Sequence, residues 1–241
     1  MQGANDQDGP PGSGEPSRET GVEGVSEPLA LFPLTGTVLF PRSPLLLHVF
    51  EPRYRALVAD LQEKSPAQRL IGVIHVAPES PESDYEPIGT AARLAHVRPR
   101  GDGRSDITLL GAYRFEVRGE VEGRPYRTAE VQPLRRPEST AELSREEATR
   151  FDDLLRLCLA ETEQPMLEQM LRLLGDASAP PAARINTVCT HLDLPPRIKQ
   201  ALLLEDLPRR ARALVEILSR RRAILDLLRP FRAHSEHPAR N

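Results

Sequence analysis

The sequence predicts an α+β chain: a small, partly closed β-barrel with one embedded helix, then a helical bundle ending in a long Arg-rich helix. Three observations carry this. Short apolar and β-branched runs spaced by Gly, Pro and Asp fill residues 28–135, the pattern of many short strands. From residue 136 the apolar positions recur in steps of three and four, the spacing of helices that bury one face. Charge changes at the same boundaries, with net +1 over 28–135, net -5 over 136–208 and net +6 over 209–232.

Strands are expected at Leu29–Leu34, Pro44–Phe50, Arg69–Val76, Ile88–Val97 and Tyr126–Val131. Tyr113-Arg114-Phe115-Glu116-Val117-Arg118 alternates apolar and charged residues, the period of a strand with one face in water. Gly101-Asp102-Gly103 suits the tip of a hairpin between strands ending near Val97 and starting near Ile107. One helix interrupts the block: Pro52 fits a first helical position, and Tyr54, Leu57, Val58 and Leu61 share a face. Many short strands around one helix suggest a small barrel.

In the second half, Ser144-Arg145-Glu146-Glu147 fits a capping box, in which hydroxyl and carboxylate satisfy unpaired backbone donors. Ala148, Phe151, Leu155 and Cys158 form the stripe behind it. A helix over Pro165–Leu174 is expected to stop at Gly175. Ile185, Val188, Cys189 and Leu192 make another stripe, and Asp193-Leu194-Pro195-Pro196 opens a helix through Leu204. The last helix, Pro208–Arg229, sets Ala211, Leu214, Leu218, Leu225 and Leu228 on one seam, with Arg221 on it too. The eight arginines of residues 209–232, against Glu216 and Asp226, face a nearby counter-charge in 136–208, so docking onto those helices is expected.

The ends differ in kind. Residues 1–27 hold six acids, one Arg and no aromatic, too little apolar surface to offset ordering entropy, and read as a disordered acidic tail. Residues 233–241 read as a second tail. With 241 residues and no apolar run near the roughly 20 that a membrane helix needs, the expectation is a cytoplasmic chain with no membrane partner. Aromatics are 4% of residues, so Leu, Val, Ile and Ala must build the core.

Catalytic signatures are missing. A P-loop needs Gly-Lys after a Gly-rich turn, whereas Lys64 follows Glu63 and Lys199 follows Ile198. There is no Gly-x-Ser-x-Gly elbow. Cys158 and Cys189 lie on apolar stripes and read as buried. His48, His75 and His96 sit in strand runs without metal-ligand spacing; His75 and His96 read as partly buried, hydrogen-bonded histidines, and His234 and His237 as solvated. Asp152-Asp153 and Glu146-Glu147 are neighbours on a helix and point apart, which reads as a solvated face. No metal or other cofactor is expected.

The run Leu31-Phe32-Pro33-Leu34-Thr35-Gly36-Thr37-Val38-Leu39-Phe40-Pro41, then Leu45-Leu46-Leu47-His48-Val49-Phe50-Glu51-Pro52-Arg53-Tyr54-Arg55, resembles the N-terminal substrate-binding domain of Lon proteases, in particular its stand-alone and RING-fused versions. Ile88–Leu94, Gly111–Val117 and Tyr126–Val131 follow in the same order. The resemblance covers about residues 28–230 and implies a PUA-like barrel followed by a helical bundle, divided here as 28–135 and 136–232. In full-length Lon an ATPase module and a Ser–Lys protease module come next. This sequence stops at Asn241, and its two lysines match no protease motif, so the expectation is a non-enzymatic polypeptide-binding or adaptor protein. The alternative is an RNA-binding module, since PUA-like folds often bind RNA. The even charge of 28–135 makes nucleic acid the weaker expectation.

Read physically, the same run has two meanings. Phe32, Val38, Leu45, Leu47 and Phe50 would fill the barrel at a strand-to-helix corner, with Glu51 favouring the positive start of the helix. Alternatively, His48, Glu51, Arg53 and Arg55 would line a groove that reads a polypeptide.

Overall fold

The computed structural model describes residues 27–77, 85–134, 143–161, 164–173 and 179–235. The expected tail 1–27 therefore lies outside the described residues except for Glu27, as do Gly175 and the end of the second tail, 236–241.

Six strands form one sheet: β1 (Leu29–Thr35), β2 (Pro44–Val49), β3 (Leu70–Val76), β4 (Ile88–Pro99), β5 (Ser105–Val121) and β6 (Thr128–Pro133). Their order is β2-β5-β4-β3-β1-β6, with β5 also paired to β6. Five strands thus close a ring, and β2 is added along the first half of β5. The pair β1–β3 is parallel and the others antiparallel. The two strands expected near Ile107 and at Tyr113–Arg118 are one 17-residue strand. That length lets β5 serve β2 and β6 in turn, with a register shift between Val117 and Gly119.

Helix α1 (Pro52–Glu63) lies where expected, and Tyr54, Leu57, Val58 and Leu61 are its buried residues. Tyr54 stacks on Phe32 with ring centres 4.1 Å apart. Behind them Leu39, Leu45, Val49, Ile71, Leu94 and Leu109 complete the ring's core. Full burial of such side chains contributes roughly 1.5–3 kcal/mol each. Phe50, expected inside the barrel, is 57% exposed. Its position is one step out of phase with Leu45 and Val49, so the pleat turns it outward.

The helical half contains α2 (Arg145–Glu161), α3 (Pro165–Leu173), α4 (Pro181–His191), α5 (Pro196–Leu204) and α6 (Leu207–Ser235). The capping box is formed: Glu147 N–H donates to Ser144 Oγ at 3.1 Å, and Ser144 N–H donates to the Glu147 carboxylate at 3.1 Å. Helix α6 runs six residues past the expected Arg229. Ala211, Leu214, Leu218 and Leu225 are buried on its seam, whereas Leu228 is 44% exposed.

Val38 was expected to fill the barrel, but it packs with Phe40 among the helices, in one cluster with Phe151, Ile185, Leu214 and Leu218. The β1–β2 connection is thereby driven into the helical core. Phe40 N–H donates to Thr190 Oγ1 at 3.2 Å, Asn186 Nδ2 to the Pro41 carbonyl at 2.8 Å, and Gln200 Nε2 to the Ile88 carbonyl at 2.8 Å. These buried bonds satisfy backbone groups that would otherwise cost about 1–3 kcal/mol each.

Four further expectations change. Arg114 is buried, not on a wet face, and its guanidinium donates to the carbonyls of Leu203 (2.5 Å) and Glu205 (3.2 Å). His96 is exposed, because the register shift between Leu94 and His96 turns it outward. Asp152 belongs to no solvated face: it holds the buried Arg184 through contacts of 2.6 and 3.1 Å. On α6, the arginines were expected to meet the acids of 136–208, but Arg222 pairs with Asp226 of its own helix at 2.8 Å.

Candidate functional site

The residues singled out by sequence gather at one corner, where β2 runs into α1 beside the β4–β5 hairpin. Antiparallel register sets His48 opposite Asp106, and His48 Nδ1 lies 2.8 Å from the carboxylate. The Arg100 guanidinium reaches the other oxygen of Asp106 at 2.6 Å. Arg100 first and His48 second hold the Asp106 carboxyl below its ordinary value. Glu51 caps α1 only through its carbonyl; its carboxylate takes Arg53 at 2.8 Å. Arg53 also lies over the Tyr54 ring, 4.7 Å from its centre. Arg55 rests on the hairpin tip at Gly103, where φ of 78° suits a residue without a side chain and a Cβ would strike the guanidinium.

The corner therefore divides. His48 and Arg55 face the hairpin, while Glu51 and Arg53 pair with each other. Between them Phe50 stands exposed, its ring 6.1 Å from His48. Of the four polar residues, His48 is the one whose ring neighbours Phe50. Above Pro44, whose carbonyl accepts from His191 Nε2 at 2.7 Å, β2 carries β5 on one edge and, among the described residues, no strand on the other.

Among the described residues no group of three or more His, Cys, Asp and Glu side chains is placed to hold a metal. Cys158 and Cys189 are both buried, and the Cys158 thiol points at the Leu218 carbonyl at 3.5 Å. Lys199 is buried against the Thr190 carbonyl at 2.7 Å, and burial lowers its pKa. Both sit in the helical half, away from this corner. His75 matches its expected structural role, 8% exposed with Nδ1 3.3 Å from the Leu34 carbonyl.

A second concavity, about 470 Å³, opens between the start of β1, the end of α1 and the β5–β6 hairpin. Tyr126 donates to Asp60 at 2.6 Å on its wall, and burial with that bond pushes the phenol up to about 12. Lys64 bonds Glu27 at 2.6 Å across its mouth. Sequence reading offered no signal for it, because its walls come from four separate segments.

Two of the buried arginines that sequence reading missed, Arg114 and Arg210, converge on the end of α5. Arg210 is fully buried and donates to the carbonyls of Leu202 (3.0 Å) and Glu205 (2.9 Å) and to Asn186 Oδ1 (2.5 Å). Positive charge there answers the unpaired carbonyls and negative pole of a helix C-terminus.

Comparison with known proteins agrees with this geometry. A family model described as the ATP-dependent protease La (LON) substrate-binding domain matches residues 28–220. A Lon protease 2 of Myxococcus xanthus is 27% identical over 216 residues, 85% of this chain and 25% of that protein. A Lon protease 2 of Sorangium cellulosum is 34% identical over 134 residues, 53% of this chain and 16% of that protein. The chain thus spans a quarter or less of these relatives. A crystal structure of a Lon N-terminal domain protein from Xanthomonas campestris superposes with a TM-score of 0.54 at 28% identity, covering 79% of this chain and 98% of that one. The N-terminal domain of a Mycobacterium avium complex Lon protease shares the fold, with a TM-score of 0.54 at 18% identity, over 80% of this chain and 98% of that one. A match over four-fifths of the sequence, on a sheet ring backed by six helices, places this chain in the Lon substrate-binding domain family.

Proposed function

We propose that this chain is a polypeptide-binding module that serves as an adaptor and carries out no chemistry itself. The observation that carries the reading is the edge of β2 that pairs with no strand among the described residues, with the exposed ring of Phe50 just past its end. An edge strand offers backbone donors and acceptors to any extended chain, and an aromatic beside it adds an apolar anchor. His48, Glu51, Arg53 and Arg55 are its polar rim. Membership in a substrate-binding family supports the same reading.

RNA binding, the reading suggested by a PUA-like label for the ring, has less support. Two arginines of α6 are paired along the helix, Arg220 with Glu216 at 2.5 Å and Arg222 with Asp226 at 2.8 Å, and a third, Arg212, meets Glu147 at 3.4 Å. Phosphate binding wants concentrated, unpaired positive charge. No helix among the described residues is long and apolar enough to cross a membrane.

The test is equilibrium binding to a fluorescent, permanently unfolded polypeptide such as reduced, carboxymethylated α-lactalbumin. Wild type should bind it, and Phe50→Ser should weaken binding several-fold without moving the urea midpoint. Tighter binding to single-stranded RNA than to polypeptide would favour the alternative. ATP or casein turnover that survives repurification would contradict the non-catalytic part.

A further inference from the structure

We infer that the outward face of the β2-β5-β4 sheet selects polypeptide segments that interleave acidic and apolar side chains. This deepens the polypeptide-binding reading and rests on it. The face follows from register. Directly opposed residues on antiparallel strands share a side, and the pairings set three rows across the three strands. His48, Asp106 and Arg98 form the first; Leu46, Thr108 and His96 the second; Leu110 and Arg93 the third, whose β2 member, Pro44, is buried. The intervening Ile107, Leu109 and Leu94 point inward and are buried, which fixes the outward sense of the rows.

The composition of this face is unusual for a solvated surface. Arg93, His96 and Arg98 are exposed, and Leu110 is 40% exposed at the centre with Leu46 half-buried beside it. Asp106 is the one carboxylate in the three rows, and it is already shared by His48 and Arg100. Neither Arg93 nor Arg98 has a carboxylate at ion-pair distance among the described residues. Each of their nearest strand partners, Leu110 and Asp106, is apolar or already engaged.

Two guanidiniums on β4 that no described carboxylate pairs, lying along one side of Leu110 and Leu46, fit an acidic–apolar peptide better than a nucleic acid. Carboxylates can meet Arg93 and Arg98 as bidentate pairs, while apolar side chains cover Leu46 and Leu110. A phosphate backbone would cross the Asp106 carboxylate and leave the leucines facing charge. Base stacking would want aromatic platforms, and none of the three rows supplies one. Like-charge repulsion against basic segments then gives discrimination as well as attraction.

The experiment compares two short fluorescent peptides of identical apolar pattern, one carrying Glu and one Lys between the apolar positions, against the full chain. Oligo-uridine RNA and unfolded carboxymethylated α-lactalbumin are run in parallel. Two exposed ion pairs predict that the Glu peptide binds about tenfold more tightly than the Lys peptide, with the margin shrinking as salt rises. Arg93→Glu with Arg98→Glu should erase or reverse that order, and Leu110→Ser should weaken both peptides alike. If the double variant does not fold, Arg98→Gln alone should still shrink the margin. Equal affinity for the two peptides in wild type, or a preference that survives the double variant, overturns this inference. Binding of unfolded α-lactalbumin in that same experiment would leave the module reading standing. Failure of wild type to bind any polypeptide overturns both. Oligo-uridine binding tighter than the Glu peptide, and lost in the double variant, would assign the face to nucleic acid and overturn the inference.

Discussion

Arg210 holds its guanidinium over the ring of Phe40, 5.0 Å from the ring centre. This one contact joins the first turn of α6 to the connection between β1 and β2, so the helical core and the strand that leads to the rim share a support. The same guanidinium occupies the carbonyls at the end of α5. Its planar fork serves several acceptors at once, which an ammonium cannot.

Arg210→Leu should therefore be among the most damaging single changes. Several buried acceptors would lose their donor together, at a cost of about 3–5 kcal/mol. Arg210→Lys should recover less than half of that loss. Urea unfolding of the three proteins measures both, and a neutral Arg210→Leu would mean that the buried network contributes nothing net.

On α6, packing should outweigh surface charge. Leu218 is completely buried, whereas the Arg220–Glu216 pair is 76% and 64% exposed. Leu218→Ala should cost about 2–5 kcal/mol, and Arg220→Gln under about 1 kcal/mol. Leu227, 73% exposed, should tolerate Ala with almost no change in the urea midpoint.

Gly111 should be intolerant for a steric reason. A Cβ there would strike the backbone carbonyl of Phe40, which has no flexible end to move away. Gly111→Ala should destabilise by about 1–3 kcal/mol, the usual cost of overpacking. Gly119→Ala, where a Cβ meets open space, is the control and should be close to neutral in the same thermal melts.

Acidification should act in two stages. Burial holds the His191 imidazole below its ordinary 6.5, so the unfolded chain takes up a proton that the folded chain resists. Stability is then full above that value and falls as pH drops below it. Asp106 and Glu147 are held below their ordinary 3.8 and 4.5 by Arg100 and by the Ser144 cap, so their contribution is present above those values and is lost as pH falls through the lowered ones. His191→Gln, which keeps a donor for Pro44, should flatten the first stage and leave the second. Urea midpoints between pH 7 and pH 3 check this.

Much of the architecture was legible because local signals agreed. The strand starts at Leu29 and Ile88, the helix opened by Pro52 and the Ser144–Glu147 capping box each rest on residues close in sequence. Arg114 shows where that logic stops. Alternation through Tyr113–Arg118 puts it on the wet side, but the carbonyl that accepts its proton belongs to Leu203, 89 positions later. Asp152 and Asp153 point apart as adjacency requires, yet only Asp153 faces an exposed partner, Arg156, because Arg184 arrives from another helix to meet Asp152. At the rim, the run from His48 to Arg55 marked the right corner, while its partners Asp106, Arg100 and Gly103 come from a hairpin that no spacing in that run foretells.

Amide hydrogen exchange of the full chain, with and without saturating unfolded carboxymethylated α-lactalbumin, tests the central claim most directly. An extended segment seated along β2 predicts slower exchange over Leu46–Phe50 and at the start of α1, with the buried α4 unchanged. Slowing confined to α6, or none on β2 while the polypeptide is bound, would contradict it.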